Sequence, residues 1–275
     1  SKGTLYLVAT PIGNFDDLSF RGIHILKTVD LILAEDKRKS ALLLNKFSIK
    51  TKMHSFHEFS DESEIEKYIN LLKDGQNLAL ISDAGSPLIS DPGFELVQAA
   101  IIADIKISPI PGPSSVTSSL VASGLKVNKF IFEGFPPRKS LELKKYLNKF
   151  QFEERTIIFF ESPRRIKKLV KSVLEVLGEE RRVALAKEIS KPHENFYLGN
   201  AKELLEEIEN NKNLEKGEIV FLLEGTNNIE ILPDNLEDQL VMSLKDFLPL
   251  RTISKIVSKV SKLSSREIYS KYNKR

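Results

Sequence analysis

Four short stretches hold the residue types that can do chemistry: VATPIGNFDDLS at 8–19, LAEDKRKS at 33–40, ALISDAGSPLISDPGFE at 79–95 and SPIPGPSS at 108–115. Each begins in or directly after an apolar, strand-like run. Their prolines fix φ and remove N–H donors, while Gly85, Gly93 and Gly112 open backbone conformations closed to other residues. Such a stretch makes a stiff wall of backbone amides and carbonyls, able to hold a small polar molecule by main-chain hydrogen bonds. One loop of this kind is an ordinary strand-to-helix turn. Four on one sheet edge favour a binding site, because ligands of α/β sheets collect at the C-terminal strand ends, beside helix N-termini.

Several chemistries are set aside by what is missing. There is no G-x-G-x-x-G after the first strand and no G-x-x-x-x-G-K-[ST], so dinucleotide and nucleoside triphosphate folds are not expected. The four histidines, His24, His54, His57 and His193, form no HExxH pattern, and no metal site is expected. His54 and His57 with Glu58 and Asp61 make a polar cluster whose simpler role is to cap a loop. With no cysteine, thiol nucleophiles, thiolate metal sites and disulfides are all excluded, which suits a reducing cytoplasm.

The elements that must position these loops are legible as alternating patterns. Strand-like runs fall at 5–10, 30–36, 77–83, 106–112 and 130–135, then at 156–162, 182–189, 195–199 and 218–225. Between them Ile65, Tyr68, Ile69 and Leu72 form one helical stripe, and Ile166, Leu169, Val170, Val173, Leu174 and Leu177 another. The early strands are apolar almost throughout, as when helices cover both faces of a sheet. Strict strand–helix alternation up to about 112 requires a parallel sheet, whereas the runs at 182–189 and 195–199, joined by KPHE, read as an antiparallel hairpin. The chain is therefore expected to be α/β, with two α/β domains, 1–115 and 116–230, and a small C-terminal three-helix module at 231–275. GPSSVTSSLVASG is expected to be the helix that bridges the two domains.

The last segment stands apart in charge as well as pattern. After the polar linker TNNIEILPDN come the stripes Leu236, Leu240, Val241, Leu244 and Leu248, then Ile253, Ile256, Val257 and Val260, with Pro249 between them. Ser264 and Glu267 make a capping box opening a third helix. Residues 251–275 carry Arg251, Lys255, Lys259, Lys262, Arg266, Lys271, Lys274 and Arg275 against the single acid Glu267, a net +7, while the remainder is −4. A basic appendage on a mildly acidic body points to a polyanion, most simply nucleic acid, although a solvated helical face has the same composition. No apolar run approaches the roughly 20 residues of a membrane span. No secretory signal is expected either, since nothing basic and then apolar precedes the strand-like stretch at Thr4 to Thr10.

Taken in order, TPIGNFDD, AEDKR, SDAGSPLISDPG, PIPGPSS, EGFPPR, FFESPRR and KEISKPHE closely resemble the tetrapyrrole-methylase superfamily of S-adenosylmethionine-dependent enzymes. The resemblance is to its ribosomal branch, whose members methylate a cytidine 2′-hydroxyl in small-subunit ribosomal RNA. It spans about residues 4–225, and the basic tail is similar to the end of that branch. It implies that S-adenosyl-L-methionine binds between two α/β domains, folded and held mainly by backbone groups. By position it implies Pro11 and Gly13 in the first loop, Asp83, Ala84, Gly85 and Ile89 along the methionine moiety, and Ser114 and Ser115 after the Pro-Gly turn. Glu161 and Ala184 then fall where the second domain closes the cleft. The superfamily's commoner third loop reads Gly-Asp-Pro where this chain has Asp-Ala-Gly-Ser-Pro, so single positions can slip by one.

For methyl transfer to a ribose hydroxyl the protein must align oxygen, carbon and sulfur, and a base within reach of the hydroxyl adds to the rate. Asp36, Glu133, Glu161 and Glu188 are the candidate bases, with Asp36 and Glu188 preferred and Lys187 placed to stabilise developing alkoxide charge; helix capping and salt bridges are the competing roles. Arg38, Arg138, Lys139, Arg164 and Arg165, with Lys255, Lys259 and Arg266 in the tail, are expected to hold RNA phosphates, giving affinity and register rather than base selectivity. The expected partners are small-subunit ribosomal RNA or the assembled 30S subunit and, by resemblance, a second copy of the chain in a homodimer. A tetrapyrrole or protein side-chain methyltransferase of the same superfamily, or a non-catalytic RNA-binding assembly factor, remain the alternatives.

Overall fold

The computed structural model describes residues 1–57, 61–226, 236–261 and 263–273, with Leu236 in backbone only. Glu58 of the polar cluster, most of the linker, and Lys262, Lys274 and Arg275 of the basic tail lie outside the described residues. Two compact units result, Ser1–Gly225 and Thr226–Arg275.

The first unit contains two five-stranded sheets. In the first, β1 (Thr4–Val8), β2 (Leu31–Ala34), β3 (Met53–Ser55), β4 (Leu78–Ile81) and β5 (Lys106–Ile110) run parallel in the order β3-β2-β4-β1-β5. Every residue of β2 and β4 is buried, because helices cover both faces. On one face Leu33 and Leu80 pack with Tyr68 and Leu72 of α3 (Glu62–Lys73) and Leu96 of α4 (Phe94–Ile102). On the other, Ile32, Ala79 and Ile81 pack with Leu26 of α1 (Phe20–Thr28) and Leu43 of α2 (Lys37–Lys46). The period of two along each strand thus supplies both cores, each large side chain contributing roughly 1.5–3 kcal/mol of burial. The short β3 had no sequence signal, since Met-His-Ser shows no alternation of its own.

The second sheet is mixed. It comprises β6 (Phe130–Gly134), β7 (Thr156–Glu161), β8 (Arg182–Lys187), β9 (Asn195–Asn200) and β10 (Ile219–Leu223), ordered β6-β7-β10-β8-β9. Only β6 and β7 are parallel; β8 and β9 form the antiparallel hairpin that KPHE announced. The helices α6 (Ser140–Leu147), α7 (Ile166–Leu177) and α8 (Ala201–Asn210) cover one face through Leu147, Leu169, Val173 and Leu204 against Phe159 and Phe221. The other face receives α5 (Ser115–Ala122), whose Val116 and Leu120 pack on Ile158, Ala186 and Val220. A helix that follows the last strand of the first sheet is therefore built into the core of the second.

The second unit is three short helices, α9 (Leu236–Leu244), α10 (Leu250–Val257) and α11 (Ser265–Tyr272), around Val241, Ile253, Val257 and Ile268. The capping box at Ser264 forms as read: its hydroxyl accepts from the Glu267 N–H while the Glu267 carboxylate accepts from the Ser264 N–H. Among the described residues no helix is long and apolar enough to cross a membrane.

Candidate active site

The loops that leave the C-terminal ends of β1 and β4 are tied to one another. Thr10 and Gly85 exchange backbone hydrogen bonds, each 2.9 Å, and the Thr10 hydroxyl donates to the Ser82 carbonyl at 3.1 Å. Gly85 holds φ +82, a left-handed conformation that costs a side-chain-bearing residue energy. A Cβ there would find ordinary contact distances, 3.7 Å to Ile12 and 3.9 Å to the Pro113 carbonyl. Backbone conformation, and not crowding, is therefore what calls for glycine at this position. Further along, Leu88 (φ 72) and Ser90 (φ 63) are also left-handed, so the long connection to α4 is held in an unusual path.

This wall faces the second sheet across a cleft of about 350 Å3, within the usual size range of small-molecule sites. Ala84, Gly85, Ile89, Ser114, Ser115 and Glu161 line it, as the sequence led us to expect. Ser114 is the N-cap of α5 and makes no side-chain cap bond, so the first turn of α5 enters the lining with its N–H groups uncapped by a side chain. Opposite stand Phe135, Phe160, Ala186, Ile189, Ile219 and Val220, an apolar wall; Phe135, Phe160 and Ile189 fall within the quoted motifs but were not singled out, and Ala186, Ile219 and Val220 were legible only as strand interior. Asp91, Ser86 and Ser90 complete the near side; they belong to the quoted third loop but were not singled out.

The cleft is acidic. Among the described residues its lining includes Asp91, Glu161 and Glu218 and no lysine or arginine. Glu161 is only 4% exposed; Oε1 accepts from the Ser162 N–H at 2.7 Å, Arg165 approaches Oε2 at 3.3 Å, and Oε2 has no hydrogen-bond partner. Burial pushes the Glu161 carboxyl above its ordinary pKa, against the lowering effects of the Ser162 N–H and Arg165. Asp91 is pushed up to about 6, by burial first and then by the charge of Glu35, with a hydrogen bond from Ser82 opposing. Glu35 is itself raised, by burial and by Asp83. A small-volume pocket with backbone donors, an apolar wall, one orphaned buried oxygen and excess negative charge fits a compact, positively charged molecule that also presents hydrogen-bond donors.

The remaining candidate residues fall elsewhere. Pro11 is buried outside the lining, and Gly13 belongs to a neighbouring hollow with Ser190 and Lys191. A Cβ on Gly13 would come 2.6 Å from the Ile189 carbonyl, so this glycine lets the first loop approach the β8–β9 turn, where Ser190 also donates to Asp17. Asp83 accepts from the Asp36 N–H at 3.2 Å and pairs with Lys39 at 2.6 Å, binding two loops together instead of facing the cleft. Ala184 is buried under α5, and Ala186, two residues on along the same strand face, takes the place at the cleft.

The two preferred bases are otherwise engaged. Asp36 is the N-cap of α2, accepting from the Arg38 N–H at 2.8 Å, which holds its pKa below the ordinary value. Glu188 accepts from the Glu218 N–H at 2.6 Å and from Lys191 at 3.0 Å, and is likewise lowered. Neither lines the cleft, and both are weaker bases than a free carboxylate. Lys187 ends β8 beside Ile219, outside the lining, and Glu133 accepts from the Tyr146 hydroxyl at 2.5 Å. The competing roles of capping and ion pairing describe these residues.

Among the phosphate candidates, Arg38, Arg138, Lys139 and Arg164 are exposed. Arg165 turns inward, to Glu161 and to the Pro137 carbonyl at 3.0 Å, and closes the cleft wall instead of projecting from it. In the helical unit Lys255 and Arg266 share a hollow with Arg251 and Tyr269, while Lys259 is exposed outside it.

Residues 4–205 match the model of the family described as Tetrapyrrole (Corrin/Porphyrin) Methylases. Ribosomal RNA small subunit methyltransferase I of Escherichia coli O157:H7 is 38% identical over 270 residues, covering 98% of this chain and 94% of that protein. The protein of the same name from Thermotoga maritima is 43% identical over 223 residues, 81% of this chain and 99% of its own length. Among solved structures, the methyltransferase CobJ superposes with a TM-score of 0.61 at 13% identity, covering 82% of this chain and 95% of that one. A Thermus thermophilus uroporphyrin-III C-methyl transferase complexed with S-adenyl homocysteine gives 0.55 at 16% identity, covering 84% and 100%. At such identities these two structures establish the shared fold.

Proposed function

We infer the function from a fixed premise: the chain belongs to the tetrapyrrole (corrin/porphyrin) methylase family and, within it, to the group of ribosomal RNA small subunit methyltransferase I. It is an S-adenosylmethionine-dependent methyltransferase that methylates a cytidine 2′-hydroxyl of small-subunit ribosomal RNA. The observation that carries this reading is the acidic, backbone-walled cleft at the strand ends, most of whose lining falls within the stretch that matches the family.

The residues present fit the methyl donor. When bound, S-adenosylmethionine supplies a methyl group on a positively charged sulfur, open to in-line attack. Asp91, Glu161 and Glu218 give the cleft a field that favours such a cation, and Glu161 Oε2, which lacks a hydrogen bond, would be free to accept one from the donor. Ala84, Gly85, Ser114 and Ser115 let the main chain approach closely, and Phe135 and Phe160, whose centroids lie 5.7 Å apart, exclude water on the far side. A rigid wall would hold the donor for in-line attack, and alignment of this kind can account for much of the acceleration.

The RNA is held outside the cleft by Arg38, Arg138, Lys139 and Arg164, and by Arg251, Lys255 and Arg266 on the helical unit. The match to the Thermotoga protein spans 223 residues and nearly all of that protein. The tail is therefore assigned to RNA affinity, with the reaction itself in the first unit. Deleting residues 236–275 should weaken RNA binding most at low salt while leaving donor affinity intact. The working form is a cytoplasmic homodimer acting on small-subunit RNA or the 30S particle.

Mass mapping of modified nucleotides in small-subunit ribosomal RNA, with and without the protein and a labelled donor, tests the reading. One added methyl on a cytidine ribose is expected. Label appearing in a porphyrinoid or a protein acceptor, or donor binding with no transfer, would reject it.

A further inference from the structure

The three carboxyls that line the cleft differ in what holds them. The Glu218 side chain is 72% exposed and pairs with Lys191 at 3.3 Å. Glu161 is buried against Arg165 and the Ser162 N–H. Asp91 forms no ion pair among the described residues, and the groups acting on it are the Ser82 hydroxyl and the carboxylates of Glu35 and Asp83. It is also the one whose backbone is set by an unusual path. Leu88 and Ser90, both non-glycine residues with positive φ, precede it, each at a cost of roughly 1–3 kcal/mol. Leu88 is packed so closely on Gly93 that a Cβ there would lie 3.2 Å from its Cδ1. The fold sustains this strain in the segment that carries Asp91 into the cleft.

We propose that the Asp91 carboxylate is the proton acceptor of the reaction, taking the hydroxyl proton of the RNA ribose as that oxygen attacks the methyl group. This rests on the function proposed above. The hydroxyl oxygen exchanges its O–H bond for a C–O bond, Asp91 gains the proton, and the C–S bonding pair stays on sulfur, whose positive charge is discharged. Asp36, Glu133 and Glu188 have their oxygens engaged by N–H, O–H or ammonium donors away from the cleft, whereas Asp91 lies in the lining with no cation paired to it among the described residues. A carboxylate held up to about 6 is ionised at neutral pH and more basic than an ordinary aspartate, as a general base should be. Glu35 and Asp83 raise it from the first sheet, Asp83 being partly neutralised by Lys39. Across the cleft Glu161 is countered by Arg165 and Glu218 by Lys191.

The experiment compares wild type, Asp91→Asn and Glu35→Gln in the full-length protein. In Asp91→Asn, kcat on small-subunit RNA should fall by about a hundredfold or more, S-adenosylhomocysteine affinity by calorimetry should stay within about twofold, and the acid limb near pH 6 of the kcat/KM profile for the donor, which reports the free enzyme, should vanish. In Glu35→Gln that limb should move to lower pH with the plateau above pH 8 unchanged. An Asp91→Asn enzyme whose kcat stays within about threefold of wild type, that keeps the acid limb, or that loses product affinity as steeply as kcat, would overturn the assignment. Wild-type protein that transfers nothing to small-subunit RNA would remove the reading and the assignment together; transfer by Asp91→Asn within about threefold of the wild-type rate would remove the assignment alone.

Discussion

The loops of the first sheet satisfy one another, whereas the second sheet brings to the cleft a carboxyl oxygen with no hydrogen-bond partner. On the first side Thr10 and Gly85 pair their backbones, Asp83 joins the Asp36 N–H to Lys39, and Ser82 receives Thr10. On the second, β7, β8 and β10 offer apolar side chains and, at the end of β7, Glu161 with Oε2 unbonded. A buried oxygen that has the Arg165 guanidinium at 3.3 Å but no hydrogen bond costs stability, so its persistence at a cleft marks the side on which a ligand can complete the bonding. The parallel sheet supplies shape, and the mixed sheet supplies the unmet demand.

The sharpest way to break that comparison is through the cores. Phe159→Ala in the second sheet should cost about 3–5 kcal/mol and Leu80→Ala in the first about 2–5 kcal/mol, both side chains being fully buried. Denaturant unfolding measures this, and a much cheaper loss on either side would mean that sheet is not a full partner in the unit. Next in size, Gly85→Val should cost about 1–3 kcal/mol through its left-handed backbone and lower donor affinity by calorimetry. Normal donor affinity in a folded variant would remove Gly85 from the donor site.

Glu161→Gln separates the two sides by sign. Because burial raises the folded-state pKa, the unfolded chain ionises Glu161 at lower pH than the folded protein does. Stability is therefore greatest below about pH 4, the ordinary carboxylate range, and declines as pH rises toward the folded value. The variant should lose that decline and be more stable than wild type at pH 7, while binding donor more weakly; thermal unfolding across pH checks it. Smallest is Lys39→Ala. Its ion pair with Asp83 is short, but the Lys39 side chain is 66% exposed, so about 0.5 kcal/mol or less is expected, shrinking further in salt.

Much of this molecule could be read in advance because strand and helix periods are local. The apolar runs, the hairpin at KPHE and the Ser264 capping box needed only neighbours within a few residues. Six of the ten donor-site residues implied by the motifs do line the cleft, since the loops that carry them leave adjacent strand ends. Asp83, Ala184, Pro11 and Gly13 do not, and their positions depend on which way a side chain turns or on one step along a strand. For Asp36 and Glu188 capping and ion pairing were the competing readings from the start, and only the placement of the Arg38 N–H, and of Glu218 and Lys191, decides in their favour. Asp91 was overlooked for the opposite reason: Asp83 shares its loop after β4, but Glu35 comes from the end of β2, and only their convergence with burial gives it a base's character.

The order of residues alone determined an α/β chain with stiff loops at its strand ends and a basic helical tail, because hydrophobic period, proline, glycine and charge act over a few positions. Which carboxylates are spent on caps and which face the cleft was decided by the tertiary structure, where burial and long-range neighbours set both the hydrogen bonds and the proton affinity of each acid.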